Sequence, residues 1–172
     1  LNEESLAIPF KWDDLASFRD WVYSDDFPEN GRICFIQGNV FVDMSMEQIF
    51  SHGKVKAIFY AVLGNLIVQE DLGEYFPDGI RFTNKDANIS VEPDLTFISN
   101  STLDSDRVQF IEGKENGFVE VEGTVDMVLE VVSDSSEKKD NVLLKEAYET
   151  ASVSEYWLVY ARGDKLHFDI FR

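Results

Sequence analysis

The most constraining feature of this 172-residue sequence is an apolar run near its middle, VDMVLEVV at residues 125–132. A nearly continuous run of this kind predicts a central strand that is buried on both faces. Because helices cover both faces of such a sheet, the run favours an α/β fold. One residue breaks the pattern, since Glu130 places a carboxyl group inside the buried strand.

That carboxyl group needs an explanation. A carboxylate buried without a partner is costly unless its pKa shifts or a cation binds it. Glu130 is therefore either a structural residue, paired with an arginine or with backbone N–H groups, or part of a functional site. The sequence leaves both interpretations open.

The longest helix is predicted between residues 46 and 72. Ser45 and Gln48 have the spacing of a capping box, and Gly73 is expected to cap the other end. His52 lies three residues before an apolar stripe that we expect to be the buried face. The stripe consists of Val55, Ile58, Phe59, Val62 and Leu66.

The remaining patterns alternate strands with two further helices. A short helix capped by Asp13 or Asp14 should reach about Tyr23, and another should run from Glu137 to about Ser152. There is no repeat and no interior linker, so we expect one α/β domain over residues 1–172, with a polar arm at 1–12. Besides the central run, strands are predicted at 33–36, 40–43, 75–83, 93–99, 108–112, 118–122, 155–160 and 165–171.

Charge narrows the possible functions. The chain has 33 acidic and 15 basic residues, a net charge of −18. Such a chain repels phosphate backbones, which disfavours a protein that coats nucleic acid. A nucleic-acid enzyme with a local basic or metal-filled cleft is still compatible with this charge.

Location and redox chemistry follow from what the sequence lacks. Cys34 is the single cysteine, so an internal disulfide and a cysteine-based zinc cluster are excluded. The longest apolar stretch, 57–68, is too short to cross a bilayer. The N-terminus also lacks the layout of a signal peptide. We therefore expect a cytoplasmic protein with no membrane partner.

A second carboxylate precedes another strand. Asp94 follows Pro93, which marks the beginning or edge of a strand because it cannot donate to a ladder. Its alternative is an ordinary turn aspartate. Together with Glu130 and a lysine-bearing helix, Asp94 could supply oxygen ligands for a hard cation such as Mg²⁺.

Several segments resemble the Uma-two family of restriction endonucleases, within the PD-(D/E)XK nuclease superfamily. The resemblance covers residues 30–172 and keeps the order of the motifs. It also includes His52 and the amphipathic helix that follows. The segments are ICFIQGNVFVDMS at 33–45, EPDLTFIS at 92–99, DMVLEVVSDSS at 126–136, KKD at 138–140 and SEYWLVYARGDKL at 154–166.

The resemblance implies a restriction-endonuclease-like fold, a mixed central sheet flanked by the 46–72 and 137–152 helices. It implies an endonuclease that hydrolyses phosphodiester bonds in DNA with Mg²⁺ or Mn²⁺, and a homodimer. Asp94, Glu130 and the backbone carbonyl of Val131 match the metal ligands, and His52 matches a recurrent histidine.

The sequence departs from the pattern at several positions. The superfamily lysine two residues after the glutamate is Val132 here, and the family's lysine on the next helix is Leu144. We expect Lys145, its neighbour, to act instead, with Lys138 and Lys139 as alternatives. Cys34 and Asn39 replace the early glutamates, for which Glu47 could substitute as a ligand; its alternative role is to favour the helix dipole.

Three functions remain open from sequence. The first is the metal-dependent endonuclease, with Asp94, Glu130 and Lys145 in the catalytic site. The second is a catalytically inactive binding or assembly protein that keeps the nuclease fold. The net charge and the missing lysine and glutamates favour it. The third, a metal-free acid–base enzyme, has no predicted substrate pocket to support it.

Overall fold

The computed structural model describes residues 14–28, 30–114, 117–133, 136–161 and 166–172. The predicted arm at 1–12, residues 134–135 after the central run, and residues 162–165 at the start of the last predicted strand lie outside the described residues. Eleven strands are present in the described part: β1 Arg32–Ile36, β2 Asn39–Asp43, β3 Gly73–Pro77, β4 Arg81–Asn84, β5 Ile89–Val91, β6 Leu95–Ser99, β7 Val108–Glu112, β8 Phe118–Gly123, β9 Met127–Val131, β10 Glu155–Tyr160 and β11 His167–Phe171.

The strands form two mixed sheets rather than the one predicted. The first has the order β2-β1-β5-β4-β8-β7, and the second has the order β11-β10-β9-β6-β3. Each contains one parallel pair, β4 with β8 and β9 with β10. The first hairpin, the closing hairpin and the strands near 108–112 and 118–122 are confirmed.

Helical segments connect the strands and pack against the sheets. α1, Leu15–Val22, begins at Asp14, whose side chain accepts a hydrogen bond from the Ser17 backbone N–H at 2.8 Å, so that predicted cap is confirmed. A π-helical turn, Ile49–Gly53, leads into α2, Lys54–Gln69. α3 spans Asn100–Leu103. A second π-helical segment, Lys139–Leu144, leads into α4, Lys145–Thr150.

β9 is buried on both faces, as predicted. On one side Val128 packs in the main core with Phe82 of β4, Leu144 and Tyr148. On the other side Leu129 and Val131 pack in a separate cluster, against which α2 lays Phe59, Tyr60 and Leu63. A third cluster joins α1 to β1. The residues at the end of β9 are therefore surrounded by α2, α4 and both sheets.

The predicted inner face of the long helix is confirmed at Val55 and Phe59, which pack on the core, and wrong at the other three positions. Ile58, Val62 and Leu66 are exposed, and the buried side carries Lys56, Gly64 and Ile67. α2 is apolar almost all round, so periodicity could not tell the inner face from the outer. The side of α2 that faces inward is determined by Gly64, which lies against the ring of Tyr75. A Cβ at Gly64 would be 2.4 Å from the Tyr75 hydroxyl oxygen.

Two further predictions need correction. The predicted strand 75–83 is two strands in different sheets, separated by a turn at Asp78 and Gly79, where Gly79 has a φ of +93° that favours glycine. Gly73 does not cap α2 but begins β3, and the long helix begins at Lys54, after a π-helical turn.

Candidate active site

The two sequence-predicted carboxylates meet at one end of β6 and β9. These strands pair antiparallel, with Leu95 opposite Leu129. Asp94 and Glu130 are the next residue on each side of that pair, so they lie opposite each other. Both are buried, with 2% and 6% exposure.

One oxygen of the Asp94 carboxylate accepts a hydrogen bond, and the other does not. Oδ2 accepts a 2.7 Å hydrogen bond from the Val131 backbone N–H. Oδ1 is buried and has no hydrogen-bond partner among the described residues. The nearest positive groups to Oδ1 are the Lys56 ammonium at 3.5 Å and the Arg32 guanidinium at 3.6 Å.

Lys56 is the centre of a charge network that sequence reasoning missed. Its Nζ lies 2.6 Å from Glu47 Oε1 and 2.6 Å from Asp78 Oδ2, in addition to its contact with Asp94. Burial alone would lower the pKa of Lys56, but the carboxylates around it outweigh that effect and raise it. Arg32 reaches the same Asp78 oxygen at 2.8 Å. The sequence held one sign that Lys56 belongs to the site: Lys56 lies four residues after His52, so the two side chains share a face of the helical stretch.

Glu47 is held as a carboxylate by this network. Burial would raise its pKa, but hydrogen bonds from Lys56 and His52 outweigh that effect and lower the pKa to about 2. Glu47 lies before the π-helical turn and not in the first turn of a helix, so the helix-dipole alternative does not apply. Its Oε1 is occupied by two donors, at 2.6 Å each.

His52 bridges the network to the central strand. Its Nδ1 lies 2.6 Å from Glu47 Oε1, and its Nε2 lies 2.7 Å from the Val131 carbonyl oxygen. Both partners are acceptors, and the ring donates to both when it carries both protons. The Val131 carbonyl, expected as a metal ligand, is thus already in contact with His52.

Glu130 lies in a different environment from Asp94. Burial raises its pKa well above the ordinary value, and the neighbouring Asp94 charge adds to the effect, while Lys139 opposes it. The Tyr148 hydroxyl donates to Glu130 Oε1 at 3.1 Å. Lys139, also 3.3 Å from Asp140 Oδ1, has its pKa raised by Glu130 and Asp140 in spite of burial.

Of the lysines predicted to serve the site, the structure brings Lys139 to Glu130. Lys145 points elsewhere: its ammonium lies over the Phe171 ring, 3.9 Å from the ring centre. The one-residue offset from Leu144 explains this, because it turns the side chain by about 100° around the helix. Leu144 itself is buried in the core.

A cavity of about 170 Å³ opens beside Glu130. Its lining combines the positive groups of Arg32 and Lys139 with Glu92, Phe41 and the Cys34 thiol. Burial raises the pKa of Cys34 to about 11, so the thiol stays protonated at neutral pH. A protonated thiol is a weak nucleophile, so this environment makes Cys34 unreactive.

The donor set fits a hard cation with only two protein ligands. Among the described residues, no group of three or more His, Cys, Asp or Glu side chains is placed to hold an ion. Mg²⁺, however, is often held by one or two carboxylates and several waters. The unpartnered Asp94 Oδ1 beside Glu130 matches that arrangement.

The charge balance of the site also fits. The carboxylates of the network are Glu47, Asp78, Asp94, Glu130 and Asp140, and the permanent cations are Arg32, Lys56 and Lys139. Five carboxylates against three cations leave an excess of two negative charges when all are ionised. One divalent cation would balance that excess.

Comparison with known proteins gives a family and a fold. Residues 15–169 match the model of the Uma-two family (Uma2), described as "Putative restriction endonuclease". Among solved structures, "a putative nuclease belonging to DUF820" from Anabaena variabilis ATCC 29413 matches with a TM-score of 0.56 and 16% identity, over 92% of this chain and 83% of that chain. At that identity the likeness shows the fold, which is the predicted restriction-endonuclease-like one.

No curated protein matches the chain. None of the helices in the described ranges combines the length and the apolar composition needed to cross a bilayer.

Proposed function

Because this chain belongs to the Uma-two family, we propose that it is a divalent-metal-dependent endonuclease that hydrolyses phosphodiester bonds in DNA. The observation that carries the proposal is the opposed pair of buried carboxylates, Asp94 and Glu130, with one Asp94 oxygen left without a hydrogen bond. The family match and the fold support a nuclease as the function of such a pair.

In this proposal Asp94 Oδ1 and the Glu130 carboxylate would hold Mg²⁺ or Mn²⁺. Such an ion, when bound, lowers the pKa of a coordinated water and neutralises charge on a phosphodiester. The Val131 N–H fixes the orientation of the Asp94 carboxylate at 2.7 Å. His52 contacts the Val131 carbonyl and Glu47, so we assign it as a positioning residue, and the proposal uses neither Glu47 nor Val131 as a ligand.

Two lysines take the place of the superfamily lysine replaced by Val132. Lys139 lies beside Glu130 and Lys56 lies beside Asp94, so ammonium groups flank both carboxylates. Positive charge at these positions stabilises the negative charge that develops on phosphorus oxygens during hydrolysis. We assign that role to Lys139, in preference to Lys145, because Lys139 also lines the cavity.

The cellular location and the substrate are part of the same proposal. The lone Cys34 suits a reducing compartment, and we propose a cytoplasmic location. DNA is the proposed substrate.

Cleavage of supercoiled plasmid and labelled duplex DNA tests the proposal. We expect cleavage with Mg²⁺ or Mn²⁺ that stops when EDTA is added. Glu130→Gln and Asp94→Asn, which keep the side-chain shape, should each lose at least about 100-fold in rate. Glu74→Gln, an exposed carboxylate on β3, is the matched control and should cleave as the unmodified chain does. Unchanged cleavage by Glu130→Gln would remove Glu130 from the mechanism.

A second function is favoured by a specific observation. The cations that lie near Asp94, namely Lys56 and Arg32, already offset its charge, as in a nuclease-fold protein that binds or assembles without catalysis. Calorimetry with Mg²⁺ and Mn²⁺ separates the two. Binding that disappears in Asp94→Asn supports the endonuclease, whereas no binding at millimolar metal supports the inactive scaffold.

A further inference from the structure

The outer face of α2 is an apolar surface that is exposed to solvent in the described part of the chain. We define the α2 outer face as Ile58, Ala61, Val62, Asn65 and Leu66, all of which are exposed. Ile58, Val62 and Leu66 are 53%, 62% and 49% exposed. From residue 57 to residue 69 the sequence contains no charged residue.

A helix with this composition belongs in an interior. Helices that are hydrophobic on all sides are normally buried on all sides, whereas a helix on a protein surface carries a polar stripe. The inner side of α2 already packs on β6, β9 and β10 through Phe59, Tyr60 and Leu63. The outer side therefore lacks the cover that its sequence requires, and contiguous exposed apolar surface of this kind marks an interaction site.

Charges at the two ends of the face are self-complementary. A single i, i+4 ridge runs along the helix through Lys54, Ile58, Val62, Leu66 and Glu70. Lys54 and Glu70 are both exposed and lie eight residues on either side of Val62. Neither makes an ion pair with another described residue. The ridge thus runs from a basic residue through three apolar residues to an acidic residue.

We propose that the α2 outer face is the interface of a two-fold symmetric dimer of this chain, with the two α2 helices packed antiparallel across the axis. Symmetry about Val62 places Ile58 of one copy against Leu66 of the other. It also brings Lys54 of each copy toward Glu70 of the other. A two-fold contact uses the same patch twice, which requires this kind of self-complementarity.

Other occupants suit the face less well. A chain of net charge −18 repels another copy of itself, so copies can meet only where charge is absent or complementary, as on this ridge. A membrane-binding helix would carry lysines and arginines along its polar face, and this face has none. A strongly basic partner would find no carboxylate between residues 57 and 69.

The available area supports a dimer. A helix of 16 residues is about 24 Å long at about 1.5 Å per residue. Further exposed apolar side chains adjoin both ends, Ile49 and Phe50 before α2 and Leu72 after it, at 75%, 76% and 42% exposure. A standard interface buries roughly 800 Å² per partner, so the dimer would use these side chains in addition to the α2 outer face. The dimer does not depend on the nuclease proposal, because Lys56 faces the buried side of α2.

Sedimentation equilibrium of the purified chain tests the dimer. We expect a mass of twice 19.7 kDa at micromolar concentration for the unmodified chain. Val62→Glu puts two carboxylates together at the axis and should weaken association at least 100-fold. Val119→Glu, at a 45% exposed apolar position on β8, is the matched control and should remain a dimer. Circular dichroism verifies that each variant is folded.

A charge exchange tests the antiparallel register. Lys54→Glu and Glu70→Lys alone should each weaken the dimer several-fold, since each places like charges together across the interface. The double variant Lys54→Glu/Glu70→Lys should recover the original dissociation constant. A chain that stays at 19.7 kDa at 100 µM, or a Val62→Glu variant that remains dimeric, would overturn the proposal; the first result would assign the face to a different protein.

Discussion

At the scale of single residues, the site shows how one ammonium group can stabilise several carboxylates. Lys56 lies within 2.6 Å of Glu47 and Asp78 and 3.5 Å of Asp94, and its side chain is only 5% exposed. Removing one member of a buried ionic group costs more than the group contributes as a whole, because the remaining charges stay buried without compensation.

Lys56→Met should therefore destabilise the fold. It keeps the length and the apolar stem of the side chain while it removes the charge, so we expect a loss of about 3–5 kcal/mol in the free energy of unfolding. Lys85→Met is the control, because Lys85 pairs with Glu122 in a side chain that is 63% exposed, and such pairs contribute about 1 kcal/mol or less. Urea unfolding followed by fluorescence measures both. Equal losses in the two variants would contradict the central role of Lys56.

At the scale of elements, the sequence predicted strands better than helix faces. The run at 125–132 could only be a strand covered on both sides, and it is β9. Asp14 was identifiable as a cap because its spacing to Ser17 is local. α2 had no polar stripe to identify its outer side, and its contact with β3 through Gly64 and Tyr75 is visible only in three dimensions.

The same distinction holds for the site. Asp94 and Glu130 were found from chemistry, since each is a carboxylate where a buried strand begins or ends. Arg32, Lys56 and Asp78 were missed because they come from three segments that only the fold brings together. A lysine on an apolar helix carries no local sign of the carboxylates that it will meet.

Gly64→Ala tests the contact that sets the orientation of α2. In an exposed helix this change stabilises by about 1 kcal/mol, because alanine is the better helix former. Here the new Cβ would lie 2.4 Å from the Tyr75 hydroxyl oxygen and 2.5 Å from its Cζ, so the helix or the ring must move. Overpacking of this kind costs about 1–3 kcal/mol, and we expect a net loss of stability. A thermal melt of Gly64→Ala above that of the unmodified chain would contradict this packing.

At the scale of the whole molecule, the charge of −18 opposes both proposed activities. For the proposed nuclease, a DNA substrate would need a divalent cation bound beside Arg32, Lys56 and Lys139, because carboxylates outnumber cations at the site. A second copy can approach only at the neutral ridge of α2. Both proposals therefore depend on local surfaces. Buried cations lie at the carboxylate pair, and the α2 outer face carries no charge.

This arrangement predicts an unusual dependence of the dimer on salt. Two chains of −18 repel over distances that salt screens, since the Debye length falls from about 30 Å at 0.01 M to about 8 Å at 0.15 M ionic strength. The two Lys54–Glu70 pairs are also screened, but each contributes about 1 kcal/mol or less. Repulsion should dominate, so the dissociation constant should fall several-fold as sodium chloride rises from 10 to 300 mM, roughly across that range of screening. Lys54→Glu/Glu70→Lys keeps the net charge and should follow the same salt dependence. Dissociation that increases with salt would mean that ion pairs, and not the apolar ridge, hold the two copies together.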